Sequence, residues 1–127
     1  MKREKQEELF KAFPNLYSGH NKSIRHSLMG FGFECGDGWF DLIYKLSQKI
    51  SMQFPDVKAV QVKEKYGGLR FYVSSAPDQI FDLIEEYEKT SLTVCEQCVS
   101  STGKQQSNGS WVFTRCSKCW EERNTNK

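Results

Sequence analysis

Four of the five cysteines fall into two Cys-x-x-Cys pairs, Cys95-Glu96-Gln97-Cys98 and Cys116-Ser117-Lys118-Cys119, separated by residues 99–115. Thiolates separated by two residues can each span one edge of a tetrahedral ion. Two such pairs at this spacing read as a four-cysteine zinc site. The pattern constrains the chain more than any other feature, because it assigns the C-terminal third to a metal-nucleated ribbon. All four ligands come from protein, so the coordination shell closes and one structural Zn2+ is expected. Loss of the metal is expected to loosen the ribbon, while a preceding body with its own core survives.

A chain of 127 residues holds one modest core and a stapled appendage rather than two full domains. The division read from the sequence is an α+β domain over 1–91 and a zinc-ribbon module over 92–127. Aromatic residues are 13% of the chain, and bulky rings can fill a small core with few side chains. Basic groups number 18 against 16 acidic, a net charge of +2, so no strong whole-molecule field for nucleic acid is expected. The opening MKREKQEELFKAF is charged and lacks the apolar run of a secretory leader. No stretch approaches the roughly 18 apolar residues of a membrane span. An odd cysteine count at metal spacing argues against a disulfide framework, which makes a reducing, cytoplasmic setting the expectation.

Along the chain, 2–13 reads as a charged helix with Leu9, Phe10 and Phe13 on its apolar side, ended by Pro14. The Gly-, Ser- and His-rich stretch 15–37 gives no periodic signal beyond a short extended piece at Phe31-Gly32-Phe33. Asp37 is placed to cap a helix over 38–54. Its Trp39, Leu42, Ile43, Leu46, Ile50 and Phe54 recur every three or four positions as one buried stripe. Residues 57–66 and 69–75 read as two strands joined by a tight turn at Gly67-Gly68. That turn predicts Tyr66 opposite Leu69, Glu64 opposite Phe71 and Val62 opposite Val73. Val60, Val62, Tyr66, Leu69, Phe71 and Val73 then face the helices. A helix over 77–89 follows, with Pro77 at its first position and Ile80, Phe81, Ile84 and Tyr87 turned inward. In the ribbon, Asn108-Gly109 signals a hairpin turn and 111–115 a strand. Trp111, Phe113 or Trp120 would lie near the metal. The resulting fold class is α+β: helices packed on a small antiparallel hairpin or sheet, with a C-terminal four-cysteine ribbon.

Three further groups of residues carry possible chemistry. Lys63, Lys65, Arg70 and Tyr72 form a basic hairpin face that could hold phosphates and stack a base. A half-exposed sheet shows the same pattern to water, and that reading is preferred. Glu64 falls on the apolar side by alternation and either finds a cationic partner such as Arg25 or His26 or lies at the sheet rim beyond the core, since a buried lone charge is costly. His20, Arg25, His26, Glu34, Cys35 and Asp37 gather in the irregular stretch. A Cys–His pair can make a nucleophile, but buried cysteine is common and no nucleophile signature surrounds Cys35. The carboxylates of the 77–89 helix read as a solvated face. No phosphate loop, dinucleotide fingerprint or zinc-protease motif is present. The chain therefore reads as non-enzymatic, with no catalytic residue assigned.

The segments Gly36-Asp37-Gly38-Trp39-Phe40 and Val60 to Val73 (VQVKEKYGGLRFYV), followed by Cys95-x-x-Cys98, resemble a family of small proteins from phages, prophages and bacterial mobile elements. The likeness spans about residues 30–120. It is similar in kind to zinc-containing anti-CRISPR inhibitors of Cas9. It implies a monomeric protein that binds a host CRISPR effector, Cas9 foremost, in the bacterial cytoplasm and blocks DNA binding or cleavage. Only Cys95, Cys98, Cys116 and Cys119 carry over, as metal ligands. A different class of function is kept beside this one: a nucleic-acid-binding zinc-ribbon accessory protein using Lys63, Lys65, Arg70, Lys104 and Arg115.

Overall fold

The computed structural model describes residues 1–21, 28–74, 76–98, 104–107 and 112–119. The elements are α1 (Arg3–Ala12), β1 (Phe33–Glu34), α2 (Phe40–Gln53), β2 (Ala59–Lys65), β3 (Gly68–Val73), α3 (Asp78–Ser91), β4 (Lys104–Ser107) and β5 (Val112–Arg115). The fold is α+β, as the periodicities predict. One sheet runs β1-β2-β3, and β4-β5 form a separate antiparallel pair.

The helices arise where the apolar spacing places them. α2 buries Ile43, Leu46 and Ile50 together with Trp39 just before it; Leu42 and Phe54 are only half-buried. Fully burying one such aliphatic side chain is worth about 1.5–3 kcal/mol, so this stripe alone anchors the helix. α1 contributes Leu9, with Phe13 just beyond its end. Rings then fill the space between α1, α2 and the sheet. Tyr17 meets Phe33 edge-on at 5.0 Å, and Phe13 meets Tyr44 at 4.9 Å. Buried Tyr17 keeps its hydroxyl paired by donating to Ser47 Oγ, 2.5 Å away, which in turn donates to Ile43 O.

The sheet differs from the expected hairpin in three ways. β1 joins it in parallel with β2, Phe33 opposite Val62 and Glu34 opposite Lys63, so the sheet is mixed rather than antiparallel. The turn falls on Tyr66-Gly67 instead of Gly67-Gly68. Val62 accordingly faces Phe71, Glu64 faces Leu69 and Lys65 faces Gly68. Both turn residues have positive φ, 54° at Tyr66 and 83° at Gly67, the signature of a two-residue hairpin turn matched to strand twist. Tyr66 thus sits at the tip, 70% exposed, rather than on the core face. Lastly, the register slips between Ala59 and Gln61. This one-residue bulge reverses the alternation, so Ala59 and Val62 are buried while Val60 is only half-buried.

α3 covers the outer edge of β3. Leu69 N–H donates to Ser91 Oγ at 2.9 Å and Phe71 N–H to Glu88 Oε2 at 3.0 Å. These are the donors an edge strand would otherwise leave open. Ile80, Ile84 and Tyr87 of α3 face inward, but Phe81 is 48% exposed, against expectation. Pro77 is the N-cap of α3 rather than its first helical residue. Asp37 likewise does not cap α2 with its side chain. It begins a short 3-10 turn, Asp37–Trp39, and its carboxylate accepts Lys2 N–H at 2.7 Å.

Candidate metal centre

The second cysteine pair follows Thr114, whose hydroxyl donates to Gly67 O at the tip of the β2–β3 hairpin. Cys95 follows α3 by a few residues, and Cys116 directly follows β5 and precedes a helical turn at 117–119. The Sγ atoms of Cys95, Cys98, Cys116 and Cys119 all lie within 4.8 Å of one another. Cys98 Sγ and Cys116 Sγ are 3.5 Å apart, far beyond a disulfide bond of about 2.05 Å. A metal held by four thiolates at roughly 2.3 Å has tetrahedron edges of roughly 3.8 Å. With one pair at 3.5 Å and none beyond 4.8 Å, the cluster can close on one tetrahedral ion with shifts of at most about 1 Å. Cys95, Cys116 and Cys119 are buried, and Cys98 is exposed. Cys116 accepts a hydrogen bond from Cys119 N–H, which holds its thiol below its ordinary value. The Cys119 thiol is shifted the other way, raised by burial and then by hydrogen bonds with the neighbouring thiols.

The first pair rests on the chain that precedes α2. Gly38 N–H donates to Glu96 O at 2.6 Å, Gly36 N–H to Glu96 Oε2 at 2.8 Å, and Trp39 Nε1 to Val94 O at 2.9 Å. Glu96 N–H reaches across to Thr114 O at 2.9 Å, and Thr114 Oγ1 donates to Gly67 O. Arg115 donates to Gln97 Oε1. Burial raises the Glu96 carboxyl above its ordinary value, with the Gly36 hydrogen bond pulling it back. An open cleft of about 430 Å³ between the pair and the N-terminus is lined by Met1, Lys2, Gly36, Asp37, Glu96, Gln97 and Arg115.

The other candidate residues are placed less suggestively. Cys35 is buried, and its thiol is pushed up to about 12, chiefly by burial and then by the Glu96 carboxylate. A buried thiol held protonated packs as a small core residue. Its carbonyl accepts the Met1 ammonium at 2.5 Å. Glu64 is half-buried and accepts Gly67 N–H at 2.7 Å, so it caps the hairpin turn from within its own strand. The partners proposed for it, Arg25 and His26, and the side chain of His20 lie outside the described residues, as do Asn108-Gly109, Trp111, Trp120 and the Phe113 side chain. On the basic hairpin face, Glu34, Lys63 and Arg70 stand in one row across the three strands, which interrupts the run of positive charge.

The sequence pointed to the four cysteines that cluster here, and it did not point to Glu96, Thr114, Gly36 or Gly38. The available signal was two glycines flanking Asp37 next to a tryptophan, a pattern that marks close backbone approach. No family model, curated protein or solved structure matches this chain, so the likeness to small phage proteins stands on its motif residues alone. Among the described residues, no helix is long and apolar enough to cross a membrane.

Proposed function

We propose that the chain is a zinc-stapled, non-enzymatic binding protein of the phage-borne kind, which inhibits a host CRISPR effector, Cas9 in the first instance, by stoichiometric contact. The observation that carries the non-enzymatic part is the sulfur cluster. Four protein thiols within 4.8 Å would complete a tetrahedral shell around one ion and leave that ion no position for a substrate or an activated water. Zinc is favoured because tetrahedral four-sulfur sites select zinc or iron, and a closed two-pair ribbon is a common structural zinc arrangement. A reducing compartment such as the bacterial cytoplasm suits thiols kept for a metal. The effector part rests on the motif resemblance. A face of roughly 800 Å² per partner is enough for such a complex, and Phe31, Tyr72 and Phe81 are exposed apolar side chains that a partner could bury.

Two measurements test the reading. Metal analysis of protein purified without chelator should give one zinc per chain; an iron-loaded or metal-free protein with four titratable ribbon thiols would sink the zinc assignment. Co-elution with guide-loaded Cas9 at physiological salt should give a stable complex, and separate elution would remove Cas9 as the target. The rival reading has its own observation. A cleft of about 270 Å³ brings Lys65, Tyr66, Arg70 and Lys89 together, a cation-and-ring set able to take a base and a phosphate. It ranks second because Glu85 pairs with Lys89 at 3.0 Å and Glu88 lines the same cleft. Steeply salt-dependent RNA or DNA binding, weakened by Lys65→Glu and Arg70→Glu, would promote it.

A further inference from the structure

The residues around the first cysteine pair leave no room for a side chain on the facing glycines. A Cβ at Gly38 would lie 2.1 Å from Cys95 O and 2.5 Å from the Glu96 carbonyl carbon. A Cβ at Gly36 would lie 2.4 Å from Glu96 O. These neighbours are backbone atoms, which cannot swing aside as the end of a long side chain can. The donors described above add direction to this contact: Trp39 Nε1 takes Val94 O, and Gly38 N–H takes Glu96 O. The carbonyls of Val94 and Glu96, the residues on either side of Cys95, are therefore held by a segment almost sixty positions earlier. The second pair is reached through Thr114, two residues before Cys116, whose hydroxyl donates to Gly67 O at the β2–β3 turn.

We infer that Gly36, Gly38 and Trp39 are positioning residues of the metal centre, so that the α+β body sets the ribbon's metal affinity. The inference rests on the metal reading given above. Its physical basis is preorganisation. A free ribbon would have to order its ligand loops when the ion binds, and that ordering costs conformational entropy. Here the hydrogen bonds from Gly36, Gly38 and Trp39 have already ordered the first loop when the ion arrives. Linkage then requires the reverse effect as well: a bound ion stabilises the body that shaped its site. The Gly-Asp-Gly-Trp sequence acquires a role that local turn chemistry does not supply, since neither glycine of this segment has a positive φ and what each supplies is the absence of a Cβ.

The test is the zinc affinity of the reduced full chain, read by competition with a chromophoric chelator. Outer-shell partners of metal ligands are typically worth 10–100-fold in affinity. Gly38→Ala and Glu96→Ala should each weaken zinc binding by about that much. Glu96→Gln should bind as wild type, since its amide oxygen still accepts Gly36 N–H. Ile80→Val, in the core on α3, should lower the melting temperature without moving the affinity. If Gly38→Ala does not fold, the Glu96 pair decides. Equal weakening in Glu96→Ala and Glu96→Gln would assign the effect to charge and overturn the inference. Wild-type affinity in both Gly38→Ala and Glu96→Ala would overturn it too, and leave the metal reading standing. A wild-type chain that binds no zinc would remove both.

Discussion

Tyr66 carries a backbone cost that its neighbours explain only in part. Its φ of 54° lies in the left-handed region, where a bulky residue gives up roughly 1 kcal/mol or more, and its ring is mostly in water. The first position of this turn type prefers Asn, whose short polar side chain tolerates that conformation. Tyr66→Asn is therefore expected to stabilise the protein by about 0.5–1 kcal/mol, seen as a higher melting temperature. A lower one would show that the ring's contact with Lys65, whose ammonium lies 5.6 Å from its centroid, outweighs the strain. Glu88 is a second residue with a measurable cost. Burial raises its carboxyl above the ordinary 4.5, although Phe71 N–H and Arg70 pull it down. The folded chain then holds this proton more tightly than the unfolded chain, so stability declines as pH rises from about 4.5 through the folded value. Glu88→Gln keeps an oxygen for Phe71 and loses the titration. It should be more stable than wild type at neutral pH, with the difference fading on acidification toward pH 4.5. Denaturant unfolding at several pH values reads both slopes.

At the scale of elements, α1, α2 and α3 were legible because helical periodicity is local. Each apolar stripe appears in the sequence at its own spacing, and the observed ends differ from the expected ones by a few residues. The sheet was legible in outline only. Strand alternation does not distinguish a turn at Gly67-Gly68 from one at Tyr66-Gly67, since both registers put Val62, Leu69 and Phe71 on one face. What selects the observed register is non-local: Gly68 sits against Leu92 Cδ2, 3.3 Å from where a Cβ would stand, and Gly67 is bonded by Glu64 and Thr114. The covering of the β3 edge by α3 was equally invisible, because it depends on two polar residues of a helix meeting two particular N–H groups. Ser91 is fully buried, so Ser91→Ala would strand Leu69 N–H without a partner. A loss of about 1–3 kcal/mol is expected, and a loss under 0.5 kcal/mol in equilibrium unfolding would mean that the edge is satisfied another way.

For the whole molecule, the question is whether body and ribbon behave as one. The boundary read at 91/92 is crossed by Trp39 to Val94, Gly38 to Glu96 and Thr114 to Gly67. These ties predict that the metal-loaded protein unfolds in one transition, with helix loss by far-UV dichroism and zinc release at the same denaturant concentration. Release of zinc well before the helices melt would show a ribbon that opens by itself. The sequence by itself marked the four cysteines that the fold gathers into one cluster able to hold a metal ion, because Cys-x-x-Cys spacing is a local signal, and it determined the helices, because their periodicity is local too. Tertiary structure alone decided what Cys35, Glu64 and the two glycines do. Their roles depend on which backbone groups arrive beside them from elsewhere in the chain: a core that buries the thiol, a turn whose N–H meets the carboxylate, and a cysteine loop pressed too close for any side chain but hydrogen.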